Sequence, residues 1–116
     1  FTGGADKWGD FPAERDEILQ FIAAKQITGV VFLAADVHYA AVSRVSGDLG
    51  LKEIITGPLA APMGKTSGTA KRFEFFSAEH LNYGMVQLHT DAPRPYIEID
   101  ILSDQNAPLY KLTIRS

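Results

Sequence analysis

The chain has 116 residues, 46% hydrophobic and 22% charged, with a formal net charge of −3 and no cysteine. That is one domain's worth of chain with enough apolar content for a core. The lack of cysteine excludes a disulfide framework, a Cys-based zinc site and a thiolate nucleophile. The 11 Lys and Arg are scattered and give no basic footprint for nucleic acid.

No apolar run approaches the roughly 18 residues of a membrane span. The chain opens Phe1-Thr2-Gly3-Gly4-Ala5, with neither Met nor a signal-peptide pattern, and reads as a piece cut from something longer. Residues 1–10 read as loop. A helix follows, with Pro12 in its first turn and Asp10 or Phe11 as cap. Glu14, Asp16 and Glu17 suit the positive end of the helix dipole. Phe11, Ile18, Leu19 and Ile22 recur at helical spacing and predict one apolar face.

Ile27 to Ala35 reads as a buried strand, rich in β-branched and aromatic residues, and its run ends in Asp36-Val37-His38. Ala41 to Ser46 and Leu51 to Thr56 read as two more strands, turned at Ser46-Gly47-Asp48. Residues 57–81 are long and irregular, with Gly57-Pro58, Pro62-Met63-Gly64 and a polar run from Lys65 to Arg72 that lacks the P-loop pattern. Phe73, Phe75 and Phe76 are expected to pack part of this stretch down. The last third alternates with period two: Met85 to His89, Tyr96 to Ile101 and Leu109 to Ile114 predict an antiparallel meander. Its turns fall at Ala92-Pro93-Arg94-Pro95 and Asp104-Gln105-Asn106.

Asp36 and His38 lie two residues apart, so at a strand end they point the same way. Ligands of α/β sheets bind beyond the carboxyl ends of strands. A carboxylate and an imidazole together suit a divalent or trivalent metal. The plainer reading is a capping Asp and a surface His. Arg15, with Trp8 nearby, has the fork that suits a phosphate oxyanion. Its plainer roles are a helix ion pair for Arg15 and a loop anchor for Trp8. His80 and Asn82 precede a strand and either line a site or form a turn with Gly84. His89 reads as surface.

The joint pattern resembles the PhoD-like alkaline phosphatase/phosphodiesterase family, among the calcineurin-like metallophosphoesterases. The residues that carry it are Asp6-Lys7-Trp8-Gly9-Asp10-Phe11-Pro12-Ala13-Glu14-Arg15, Asp36-Val37-His38, Thr56-Gly57-Pro58-Leu59 and Asn82-Tyr83-Gly84. The resemblance covers nearly the whole chain. It implies that Asp36 and His38 are ligands of a two-metal centre, with iron and calcium as the metals. Ala35 stands where that family has glycine, a mild departure. The blocks that supply the other ligands are not in this chain, and the resemblance places them before Phe1.

These readings predict an α/β or, strictly, α+β fold: a helix on a mixed sheet, the C-terminal half of a four-layer αββα sandwich, with residues 1–116 as the C-terminal part of the domain. The function expected is that of a phosphoric-ester hydrolase's last metal-binding block. Two ligands complete no metal site, so the chain alone is expected to be inactive, with a phosphoester as the parent's substrate. The exposed sheet face of a half sandwich is expected to dimerise or to meet the missing N-terminal part. By resemblance the parent is secreted or periplasmic. The alternatives are a non-catalytic β-rich assembly or binding domain, with Asp36 and His38 structural, and a different metal-dependent hydrolase on the same sheet.

Overall fold

The sequence periods decide which residues of two facing sheets meet. A computed structural model describes residues 7–46, 49–64 and 73–115. A 3-10 turn, Trp8–Asp10, leads into α1, Pro12–Ala24. Among the described residues seven strands follow: β1 Val31–Ala34, β2 Ala40–Ser46, β3 Leu51–Ile55, β4 Phe75–Ser77, β5 Asn82–His89, β6 Tyr96–Ser103 and β7 Pro108–Arg115. The first four form a mixed sheet in the order β1-β3-β2-β4, and the last three an antiparallel sheet in the order β5-β6-β7. One helix and two sheets, one mixed and one antiparallel, make the fold α+β.

In the meander the alternation predicted from the sequence sets the register. Ile97, Ile99 and Ile101 of β6 stand opposite Ile114, Leu112 and Tyr110 of β7. The same isoleucines turn onto the mixed sheet, where Ile99 and Ile101 close a core with Ala40, Val42 and Ile54. Phe75 of β4 stacks on Tyr110, ring centroids 4.7 Å apart. On the outer face of the meander Lys111 pairs with Glu98 at 2.7 Å, and Asp100 lies 3.7 Å away.

The second face of the mixed sheet carries a smaller cluster of Tyr39, Ala41 and Ile55, with Phe73 and Phe76 packed on it. Tyr39 lies against Phe76 at 5.2 Å and Phe73 at 6.0 Å, so these two on this face, with Phe75 on the other, pin part of the long stretch down. That stretch also contains β4, whose three residues pair with Ala40, Ala41 and Val42. Three residues are too short to display a period, and for that reason no strand was expected there.

The strand before Asp36 differs from the expectation. It starts at Val31, not Ile27, because the helix ends in a Schellman-type cap that occupies the preceding residues. Gln26 takes φ +52°, its N–H reaches the Ala23 carbonyl, and the Ile27 N–H reaches that of Ile22. Nor is β1 buried. Among the described residues it pairs on one side only, parallel to β3, and Leu33 is 60% exposed. The helix face differs as well: of its apolar residues only Ile22 is buried, while Phe11, Ile18 and Phe21 stay exposed. Gly47 and Asp48 of the expected turn, the Lys65 to Arg72 run, and Asp6 with the residues before it lie outside the described residues.

At the lip of the mixed sheet, Glu74 is held by Lys52 and by Arg44, the latter at 2.6 Å. Hydrogen bonds from Lys52 first, then from Arg44, hold its carboxyl below the ordinary glutamate range. A lowered folded-state value means that the unfolded chain binds this proton more readily. The stabilisation is therefore complete above the ordinary range and is lost as pH falls through the lowered value. Glu74→Gln is expected to flatten the loss of stability below about pH 5. Urea melts of both proteins across that window check it; parallel acid limbs would show that the pair contributes nothing.

Candidate functional site

Asp36 and His38 sit in the turn that follows β1, at the carboxyl end of the parallel β1–β3 pair. This is where ligands of α/β sheets bind. The strand ends at Ala34, however, so period-two alternation does not aim the two side chains. The turn itself does. Asp36 takes φ +76° and His38 φ +59°, both in the left-handed region that L-residues rarely occupy. Each such residue persists only where its surroundings hold it, and residues held this way cluster at functional sites.

His38 is held by the loop that carries Pro62. Its Nδ1 lies 2.9 Å from the Pro62 carbonyl oxygen. A carbonyl only accepts, so Nδ1 carries the proton and donates it. In the neutral ring, Nε2 is then the free lone pair. Metal-bound histidines are oriented in this way, one ring nitrogen donating to a carbonyl or carboxylate while the other faces the ion. Asp36 is exposed, and its carboxylate has no partner among the described residues. A free carboxylate beside an oriented imidazole fits a hard or borderline cation. Among the described residues no third His, Asp or Glu joins them to make a metal-binding group.

The loop that supplies the Pro62 carbonyl is fixed at its start. The Thr56 N–H donates to the Ala34 carbonyl at 3.2 Å and extends the parallel pairing beyond β3. Gly57 follows at φ +115°, a conformation for glycine alone, and the Gly57–Pro58 bond is cis. Asn82 then holds this corner from the other sheet. Its Oδ1 accepts the Gly57 N–H at 2.8 Å, and its Nδ2 donates to the carbonyls of Gly57 and His80 at 3.0 Å each. Its own backbone N–H donates to Pro58. Asn82 is fully buried, so all of its amide serves the backbone and none of it faces a cavity.

The other candidates lie elsewhere. The Arg15 guanidinium engages the neighbouring Asp16 carboxylate at 2.7 Å, on the helix surface. His80 borders a cleft of about 450 Å³ lined by Phe75, Phe76, Ser77 and Leu109. His89 is half-buried rather than surface: its ring stacks on Tyr96 at 4.2 Å and 8°, with the Arg115 guanidinium on the same tyrosine. Tyr39, next to His38, has its hydroxyl pushed above its ordinary value by burial first and by the Glu53 charge second. Glu53 itself is buried and accepts a hydrogen bond from Ser43 at 3.2 Å. Sequence reasoning missed Pro62 and Gly64 as partners of His38. The one available signal was a Pro-x-Gly triplet in a long irregular stretch.

Fold and site together define an α+β domain that carries a carboxylate and an imidazole in a left-handed turn at the carboxyl end of a parallel strand pair. A family model described as PhoD-like phosphatase matches residues 1–106, and the chain belongs to that family. Phosphoester hydrolysis is thus the chemistry it is related to, and members of the family are generally metal-dependent. No curated protein and no solved structure matches the chain.

Asn82→Ala would leave the Gly57 N–H and two carbonyls without this partner in a part-buried corner. An unsatisfied buried group costs about 1–3 kcal/mol, so a loss of at least about 2 kcal/mol is expected in denaturant melts. Asn82→Asp keeps the acceptor and is expected to recover only part of it. A loss below about 0.5 kcal/mol for the alanine variant would remove Asn82 from this role.

Proposed function

We propose that Asp36 and His38 are metal ligands of a phosphoric-ester hydrolase, and that residues 1–116 are the C-terminal part of its catalytic domain. The observation that carries this reading is the imidazole of His38, fixed by its Nδ1 on the Pro62 carbonyl with Nε2 left for a ligand bond. The left-handed backbone at both residues supports it, since a capping Asp and a surface His require no such conformation. When bound, a two-metal centre neutralises phosphoryl oxygens and makes a water-derived nucleophile available at neutral pH. Iron and calcium fit the family resemblance. The chain's own contribution is to hold two donors in place and to orient one of them.

Two donors do not fill a coordination sphere, so the remaining ligands come from residues that precede this chain in the full-length protein. The site as it stands favours neither phosphomonoesters nor phosphodiesters. Arg15, His80 and Asn82, the weaker candidates, receive no catalytic role in this reading: Arg15 is engaged by Asp16, and Asn82 by the backbone. In the four-layer arrangement, the missing part of the domain would cover Leu33, Val86 and Leu88. These are 60%, 43% and 67% exposed on the sheet faces that otherwise meet in the core.

The same exposed residues favour a second reading, a non-catalytic β-rich domain that assembles through this face, with a second copy as partner. The two readings separate in one experiment. The full-length protein, its Asp36→Ala and His38→Ala variants and the 116-residue chain are compared for metal content, for hydrolysis of nitrophenyl phosphate and bis-nitrophenyl phosphate, and for mass in solution. Each variant is expected to lose bound metal and to fall by at least about 100-fold in kcat/KM, roughly 2.7 kcal/mol of transition-state stabilisation. The 116-residue chain is expected to be metal-poor and inert. Full activity without either side chain would leave the assembly reading standing.

A further inference from the structure

We propose that Pro62 and Gly64 form a positioning clamp that sets the tautomer and direction of His38, and that glycine is required at position 64 for its lack of volume. The inference rests on the reading of His38 as a metal ligand and adds what holds it. Three contacts define the clamp. The Pro62 carbonyl takes the Nδ1 proton at 2.9 Å. The Gly64 N–H donates to the His38 carbonyl at 2.6 Å. The Gly64 Cα lies so close to the turn that a Cβ built there would stand 2.6 Å from the Val37 carbonyl oxygen and 3.2 Å from both the Cβ and the carbonyl oxygen of His38.

Two of those three neighbours are backbone atoms, which cannot rotate away as the end of a flexible side chain would. The backbone of Gly64 is not in the left-handed region, so another residue could adopt its conformation; only space forbids it. Any side chain at 64 must therefore push the Pro62–Gly64 segment off the turn. That movement lengthens the Nδ1 hydrogen bond and withdraws a backbone donor from His38, whose φ of +59° needs external support. The ring is then free to rotate and to place its proton on Nε2, the nitrogen that must be bare to bind a cation. The start of the loop is tied through Thr56 and Gly57 to β1 and Asn82. The atoms crowded by a side chain at 64 are those of Val37 and His38 themselves, so the strain falls on the turn.

The test uses the full-length protein. Metal affinity by chelator competition is measured for wild type, Gly64→Ala, His38→Ala and Ile101→Val, the last thinning the remote core between the sheets. Nitrogen-15 histidine spectra of the metal-free wild type report the tautomer of His38. Gly64→Ala is expected to weaken metal binding by about 10- to 100-fold, the range for loss of a partner that orients a ligand. Ile101→Val should leave affinity within about twofold while lowering thermal stability. In wild type, His38 should carry its proton on Nδ1.

Unchanged affinity in Gly64→Ala, with metal lost in His38→Ala, overturns the clamp and leaves His38 a ligand. Equal weakening in Gly64→Ala and Ile101→Val reduces the effect to general stability and overturns it too. A His38 protonated on Nε2 in the wild type overturns it without any variant, even if Gly64→Ala fails to fold. Retention of metal by His38→Ala overturns the functional reading on which the clamp rests.

Discussion

One buried carboxamide holds the two sheets in the relation that everything else requires. Asn82 opens the meander, Gly57 leaves the mixed sheet, and the Asn82 amide accepts from one side of Gly57 and donates to the other. The Asn82 amide is fully removed from water and its Gly57 partner is half-buried, so leaving these hydrogen bonds unmade is costly, above all for the amide, which has no solvent to fall back on. The corner therefore forms as a unit or not at all. Around it the facing isoleucines close the core, and from it the loop that reaches Pro62 sets out in a fixed direction.

That arrangement couples packing to chemistry over a short path. The parallel pair β1–β3 ends at Ala34 and Ile55, and one further hydrogen bond, Thr56 to Ala34, keeps the two chains together beyond the strands. On one side the chain continues into the turn of Asp36 and His38, on the other into the loop of Gly57 to Gly64. The two meet again at the His38 ring and backbone. The turn and the loop that braces it thus leave the same sheet edge and close on each other. An imidazole is held better by such a loop than by its own rotamer preferences, because the partner carbonyl fixes both the plane of the ring and its proton.

The parts of this structure legible in the sequence are those governed by local period. Tyr96 to Ile101 alternates, and it lies where the alternation puts it, because each isoleucine meets a core and each acid meets Lys111 or solvent. The place of the Asp-x-His turn, just past an apolar strand, was legible from that strand's composition. The support of that turn was not. His38 and Pro62 are 24 residues apart and Asn82 and Gly57 25, with no periodic link between them. The start of β1 was misjudged because Ile27 to Val30 has strand-like composition but follows a left-handed Gln26 that redirects the chain. The helix was judged by its spacing alone, and spacing does not say whether a partner surface is there to receive it.

The left-handed turn at Asp36 and His38 has a consequence for anyone who engineers this protein. A left-handed L-residue is less favourable than glycine by roughly 1–2 kcal/mol, with Asp among the more tolerant. Screens that reward heat resistance should accordingly drift toward glycine or asparagine at 36 and glycine at 38, since those changes relax the backbone where it is most constrained. The variants so enriched would be sturdier and would have discarded the carboxylate and the imidazole of the turn. Thermostabilisation of this domain is safest when directed at the exposed face of α1, leaving positions 36 and 38 fixed.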